Sequence, residues 1–103
     1  MKLKDLAKTI RSKDAGVDHI TFDIIFDDYN NYEQVKKANT INREFIGELY
    51  KVPQEMITDF CYFDPAHAIK FTIQRDEPSG SPGDSDIYGC QQYAPLLDIE
   101  LDI

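Results

Sequence analysis

The sequence predicts an α+β domain, an antiparallel sheet of four or five strands with two helices packed on one face. Three observations carry that prediction. Apolar residues recur with a period of two in three separate runs, and with a helical period in the stretch between the first and second of them. The third observation is size: 103 residues, 42% of them hydrophobic, suffice for one core and not for two. The whole chain, 1–103, reads as a single domain.

From His19 to Asp27 the alternation is strict, with Ile20, Phe22, Ile24 and Phe26 on one parity and His19, Thr21, Asp23 and Asp27 on the other. This is a half-buried strand. Ile69, Phe71 and Ile73 repeat the pattern against Lys70, Thr72 and Gln74, as do Leu97, Ile99 and Leu101 against Asp98, Glu100 and Asp102. Between Ile57 and Phe63 the period is less clean, but the aromatic content favours an extended chain. A turn at Asp64-Pro65 makes it a hairpin with the strand at Ile69.

Ile41, Phe45, Ile46, Leu49 and Tyr50 fall at helical spacing behind Thr40, a suitable N-cap, so a helix spans Ile41 to Tyr50. Val52-Pro53 stops it, because proline lacks a donor and restricts the residue before it. Upstream, Tyr29 to Lys37 reads as a shorter helix, with Asp27 and Asp28 near its positive end and Lys36 and Lys37 near its negative end. The first ten residues fit both a helical face (Leu3, Leu6, Ala7, Ile10) and a strand start (Lys2-Leu3-Lys4), and the pattern leans helical. The run Pro78-Ser79-Gly80-Ser81-Pro82-Gly83-Asp84 reads as a loop within the fold.

The formal charge is −8, yet Met1 to Lys13 holds five bases and one acid. A body this acidic repels a phosphate backbone, and five terminal bases without interleaved aromatics make a poor footprint, so nucleic acid is not an expected partner. The longest apolar runs, such as Ile24-Ile25-Phe26, fall far short of the roughly 20 residues a bilayer requires. No membrane is expected either. No apolar signal core follows Met1, and Cys61 and Cys90 read as free thiols, so the expected compartment is the cytoplasm.

Three segments carry candidate chemistry. Arg11-Ser12-Lys13-Asp14-Ala15-Gly16 places a planar fork, a hydroxyl and a point charge before a glycine, a loop able to hold a carboxylate or phosphate. The same charges also suit a solvated turn that offsets an acidic body. His19, Asp23 and Asp27 share one parity and could offer a base and carboxylates to one cleft. At about 7 Å per two residues and about 13 Å per four, however, one metal cannot hold all three. His67 has no partner at metal spacing, and no motif calls for a metal or cofactor. The third segment is the run from Asp86 to Pro95, in which Tyr88, Gln91, Gln92 and Tyr93 offer phenols and amides to a substrate carbonyl or a wet interface. Cys90 lacks a nearby base to activate it.

Lys2 to Ala7, Arg11 to Gly16, Pro78 to Asp84 and Asp86 to Glu100 together resemble a small family, domain of unknown function 4387, over nearly the whole chain. That family is similar to the small C-terminal domain of the acyclic terpene utilisation (AtuA-type) proteins, where an Arg-Ser-Gly-Asp-Lys-Gly loop follows a leucine-rich start. Arg11, Ser12 and Gly16 match that loop, while Lys13 and Ala15 stand where it has glycine and lysine. The resemblance implies a ferredoxin-like topology, with Lys2 to Ala7 as a strand. It also implies an accessory or site-completing subunit of a larger AtuA-type protein acting on small organic acids or acyl thioesters. The binding residues would then be Arg11, Ser12, Lys13, Gly16, Tyr88, Gln91 and Gln92. The alternative expectation is a self-sufficient homodimeric lyase or isomerase, in which Arg11 and Lys13 anchor a carboxylate while His19, Asp23 or Tyr88 moves a proton.

Overall fold

Four antiparallel strands form one sheet in the order β1-β2-β4-β3, in a computed structural model that describes residues 1–16, 18–74 and 93–103. The strands are β1 (Thr9–Asp14), β2 (His19–Ile25), β3 (Ile57–Phe63) and β4 (Ala68–Gln74). Register aligns side chains in rows: Ser12, Phe22, Phe71 and Phe60 form one row, and Ile10, Ile24, Ile69 and Tyr62 the next. Because both rows point the same way, this face is the floor of the core. Phe22 stacks on Phe71 at 4.6 Å, and both rings contact Tyr50.

Helices α2 (Tyr29–Ala38) and α3 (Arg43–Tyr50) cover that floor. Tyr32 and Val35 from α2 and Ile46 from α3 are buried with Ile41 between them, and Tyr62 Oη donates to the Ile41 carbonyl at 2.5 Å. Asp28 caps α2 by accepting from the Asn30 amide at 2.8 Å, and Asn39 ends it in the left-handed region. The cap of α3 is Asn42 rather than Thr40: its Oδ1 accepts from the Phe45 amide at 2.9 Å while its Nδ2 donates to the Asn39 carbonyl at 2.9 Å. One amide thus caps one helix and satisfies the end of the other. Lys51, also left-handed, closes α3 ahead of Val52-Pro53.

The chain ends correct two expectations. Leu3 and Leu6 belong to a single helical turn, α1 (Leu3–Leu6), so the strand from Lys2 to Ala7 implied by resemblance is not formed, and the helical period was the better guide. Both leucines are buried on one side of that turn, which is why it forms. The strand expected around Leu97, Ile99 and Leu101 is replaced by a short helix α4 (Ala94–Leu97) and one isolated bridge, Lys2 to Glu100. Pro95 suits the first turn of a helix, and Leu96, Ile99 and Leu101 still reach the core.

The α+β class therefore holds. A ferredoxin-like domain runs β-α-β-β-α-β. Between Thr9 and Gln74 this chain runs β-β-α-α-β-β, so that order is not seen among the described residues. The Pro78 to Asp84 loop lies outside them. No described helix is long and apolar enough to cross a membrane.

Candidate functional site on the outer sheet face

The segment expected as an anion-holding loop is largely strand. Arg11, Ser12 and Lys13 lie in β1, paired with Asp23, Phe22 and Thr21, and only Ala15 and Gly16 belong to the turn into β2. Gly16 adopts φ 110°, a conformation that favours glycine, and the Ala15 amide donates to the His19 carbonyl at 2.9 Å. Extension separates the residues by face. Ser12 turns into the core, buried, while Arg11 and Lys13 stand exposed on the opposite side.

On that outer face the register builds a row of Arg11, Asp23, Lys70 and Cys61, flanked by Lys13, Thr21, Thr72 and Asp59 on one side and Thr9, Ile25, Ala68 and Phe63 on the other. Asp23 is 7% exposed although it faces away from the helices. Its side chain is short, and the longer stems of Arg11 and Lys70 rise on either flank. Arg11 Nε donates to Asp23 Oδ2 at 3.0 Å. Lys70 Nζ lies 3.4 Å from Asp23 Oδ1, an ion pair without hydrogen-bond alignment, and sits 5.6 Å from the centre of the Phe63 ring. A buried carboxylate between two cations fixes where both cations stand. Among the described residues Arg11 makes this bond through Nε, and its side chain is 58% exposed.

The other expected site residues are dispersed. His19 opens β2, its Nδ1 2.7 Å from Asp18 Oδ1, and lies about 13 Å from Asp23 along the strand. Asp27 is exposed beyond the end of β2. Tyr88, Gln91 and Gln92 lie outside the described residues. The tail segment is described again from Tyr93, whose amide donates to Ser12 Oγ at 3.1 Å, so the last tyrosine of that segment sits against β1. Among the described residues no three His, Cys, Asp or Glu side chains gather as metal ligands would.

Sequence reasoning missed two partners. Lys70 stood on the polar parity of its strand, but only the β2–β4 register brings it to Asp23. The second is a cluster at the turn between β3 and β4, where Asp64 accepts from Tyr32 Oη at 2.6 Å and from Lys36 Nζ at 2.9 Å. The Lys36 bond, helped by Tyr32, holds the Asp64 carboxyl below its ordinary range. Burial first, then the bond to Asp64, pushes the Tyr32 phenol up. His67, left-handed at the end of that turn, packs its ring against Tyr29 and Tyr32. These contacts fasten α2 to the hairpin.

No curated protein and no solved structure is matched by the chain. One family model does match, over residues 3–100, and its description is Domain of unknown function (DUF4387). With nearly the whole chain aligned, from the first leucine of α1 to the glutamate that bridges back to Lys2, the protein belongs to the DUF4387 family.

Proposed function

We propose that this domain is an accessory, site-completing subunit of a larger AtuA-type protein that handles small organic acids or acyl thioesters in the cytoplasm. The observation that carries the reading is the row of Arg11, Asp23 and Lys70. Here a buried acid holds an arginine, itself 58% exposed, on the outer face of the sheet. Three cations, Arg11, Lys13 and Lys70, share this face in a chain of net charge −8, so the face complements an anionic partner surface or a bound carboxylate. Tyr93, the residue of the Tyr88 to Tyr93 run that is described, bonds to Ser12 on the core side of β1, the strand that carries Arg11 and Lys13 on its other face.

A self-sufficient lyase or isomerase draws less support. Asp23, the central carboxylate, already faces two cations, and the one histidine on its strand is a strand's length away.

Purification of the tagged chain from its native cell tests the proposal. The expected result is a larger partner whose activity falls when this chain is removed, with recovery abolished in Arg11→Glu and Lys13→Glu variants. If only this polypeptide is recovered, and small carboxylic acids raise its melting temperature through Arg11, the enzyme reading replaces this one.

A further inference from the structure

The two edges of the sheet are guarded differently. β1 carries Arg11 and Lys13, charges of the kind that keep an edge from pairing, and Tyr93 bonds to it. β3 reads Ile57-Thr58-Asp59-Phe60-Cys61-Tyr62-Phe63, with no lysine, no proline and one charge. Among the described residues its other guards sit at one end: the bulge between Ile57 and Asp59, and Arg43, which donates to the Ile57 carbonyl. Among the described residues no strand lies beyond it. Phe63 is 43% exposed.

Which backbone groups of β3 face outward follows from the ladder. The Phe26 amide donates to the His67 carbonyl, and this pair extends the β2–β4 register. Backbone groups alternate along an antiparallel strand, so odd-numbered residues of β4 serve β2, while Ala68, Lys70 and Thr72 serve Phe63, Cys61 and Asp59. The amides and carbonyls of Phe60 and Tyr62 therefore point away from the sheet.

We infer that this edge pairs, antiparallel, with the same edge of a second copy about a two-fold axis at Phe60, joining two four-stranded sheets into one of eight. In that register Phe60 meets Phe60 and Tyr62 meets Thr58, while Asp59 meets Cys61 and Phe63 meets Ile57. The only charge in the strand thus lies opposite an uncharged residue. It also extends the outer-face row, so that Arg11, Asp23, Lys70, Cys61 and Asp59 of the second copy alternate in sign around the cysteine. A shift by two residues would instead set Asp59 against Phe63 and lose that alternation. A self-complementary edge needs only another molecule of this chain, and both copies bury the same patch. The inference uses the edge opposite Ser12 and Tyr93 and stands independently of the proposed function.

Sedimentation equilibrium on the purified chain over a wide concentration series should give twice the 11.9 kDa of the monomer. Asp59→Lys, at an exposed position, should raise the dimer dissociation constant about tenfold or more, because the symmetry counts each substitution twice. Residues 59 and 61 of the two copies would face each other as a non-hydrogen-bonded pair, close enough for a disulfide. Mild oxidation of Asp59→Cys/Cys90→Ser should therefore yield a covalent dimer, and Cys90→Ser alone should not. A monomer at every concentration, an unaffected dimer in Asp59→Lys, no cross-link in the double variant, or a Cys61 cross-link in Cys90→Ser would each overturn the inference.

Discussion

Removing Arg11 and Lys70 together would leave the Asp23 carboxylate buried with no counter-charge, and the stability of that variant tests the role given to the row. Arg11 is 58% and Lys70 40% exposed, so water screens each pair, and either single alanine substitution should cost about 1 kcal/mol. With one cation gone the other still answers the charge. With both gone, the acid keeps its desolvation cost uncompensated, which for buried ions reaches about 3–5 kcal/mol. Shortening both stems also admits water to the carboxylate, so the lower end, about 3 kcal/mol, applies to Arg11→Ala/Lys70→Ala. Adding Asp23→Ala to that double removes the stranded charge and should restore about 1–2 kcal/mol. Urea unfolding reads this directly, since at slopes of about 1–3 kcal/mol/M the double variant loses roughly 1–3 M in midpoint. A triple variant no more stable than the double would show that Asp23 is not held by these cations.

Other outcomes follow from single contacts. The folded-state pKa of Asp64 is lowered, so its contribution is present above the ordinary carboxylate value and lost as pH falls through the folded one. The melting-temperature gap between wild type and Asp64→Asn should accordingly close on acidification below about pH 4. Burial pushes the Tyr62 phenol up to about 12, so its stabilising share is complete below its ordinary value of 10.0 and disappears as pH rises through 12. A spectrophotometric titration should therefore show its phenolate appearing late, and Tyr62→Phe should flatten the alkaline loss of stability. Gly47→Ala sets a Cβ 3.2 Å from the Val52 carbonyl oxygen, on a segment tied by the Val52 amide and stiffened by Pro53. That crowding should outweigh the gain in helix propensity of about 1 kcal/mol, and calorimetry should show a net loss of similar size.

Strands β2, β3 and β4 were legible because each buries one face, and burial on one face writes a period of two into the chain. Both main helices were legible too, within two residues at their starts. β1 was not, because Arg11-Ser12-Lys13-Asp14 is polar on both parities: its core-facing Ser12 is satisfied by Tyr93 instead of by apolar neighbours. The C-terminal alternation misled, since Leu96 and Ile99 enter the core from a turn and short helix as readily as from a strand. At the site, charge type was visible and adjacency was not. Lys70 and Asp23 lie 47 positions apart, and only the pairing of β2 with β4 makes them neighbours.

Both ends of the chain are stitched together: the Leu3 amide donates to the Ile99 carbonyl, the Leu101 amide to the Met1 carbonyl, and the Met1 amino group to Glu100. During synthesis the hairpins can assemble first, from contacts between nearby segments. The underside of the core, where Leu3 waits for Leu96, Ile99 and Leu101, stays unsealed until those last leucines and isoleucine have cleared the ribosome. A nascent chain stalled short of residue 96 would thus leave the apolar side of Leu3 and its core neighbours open to solvent.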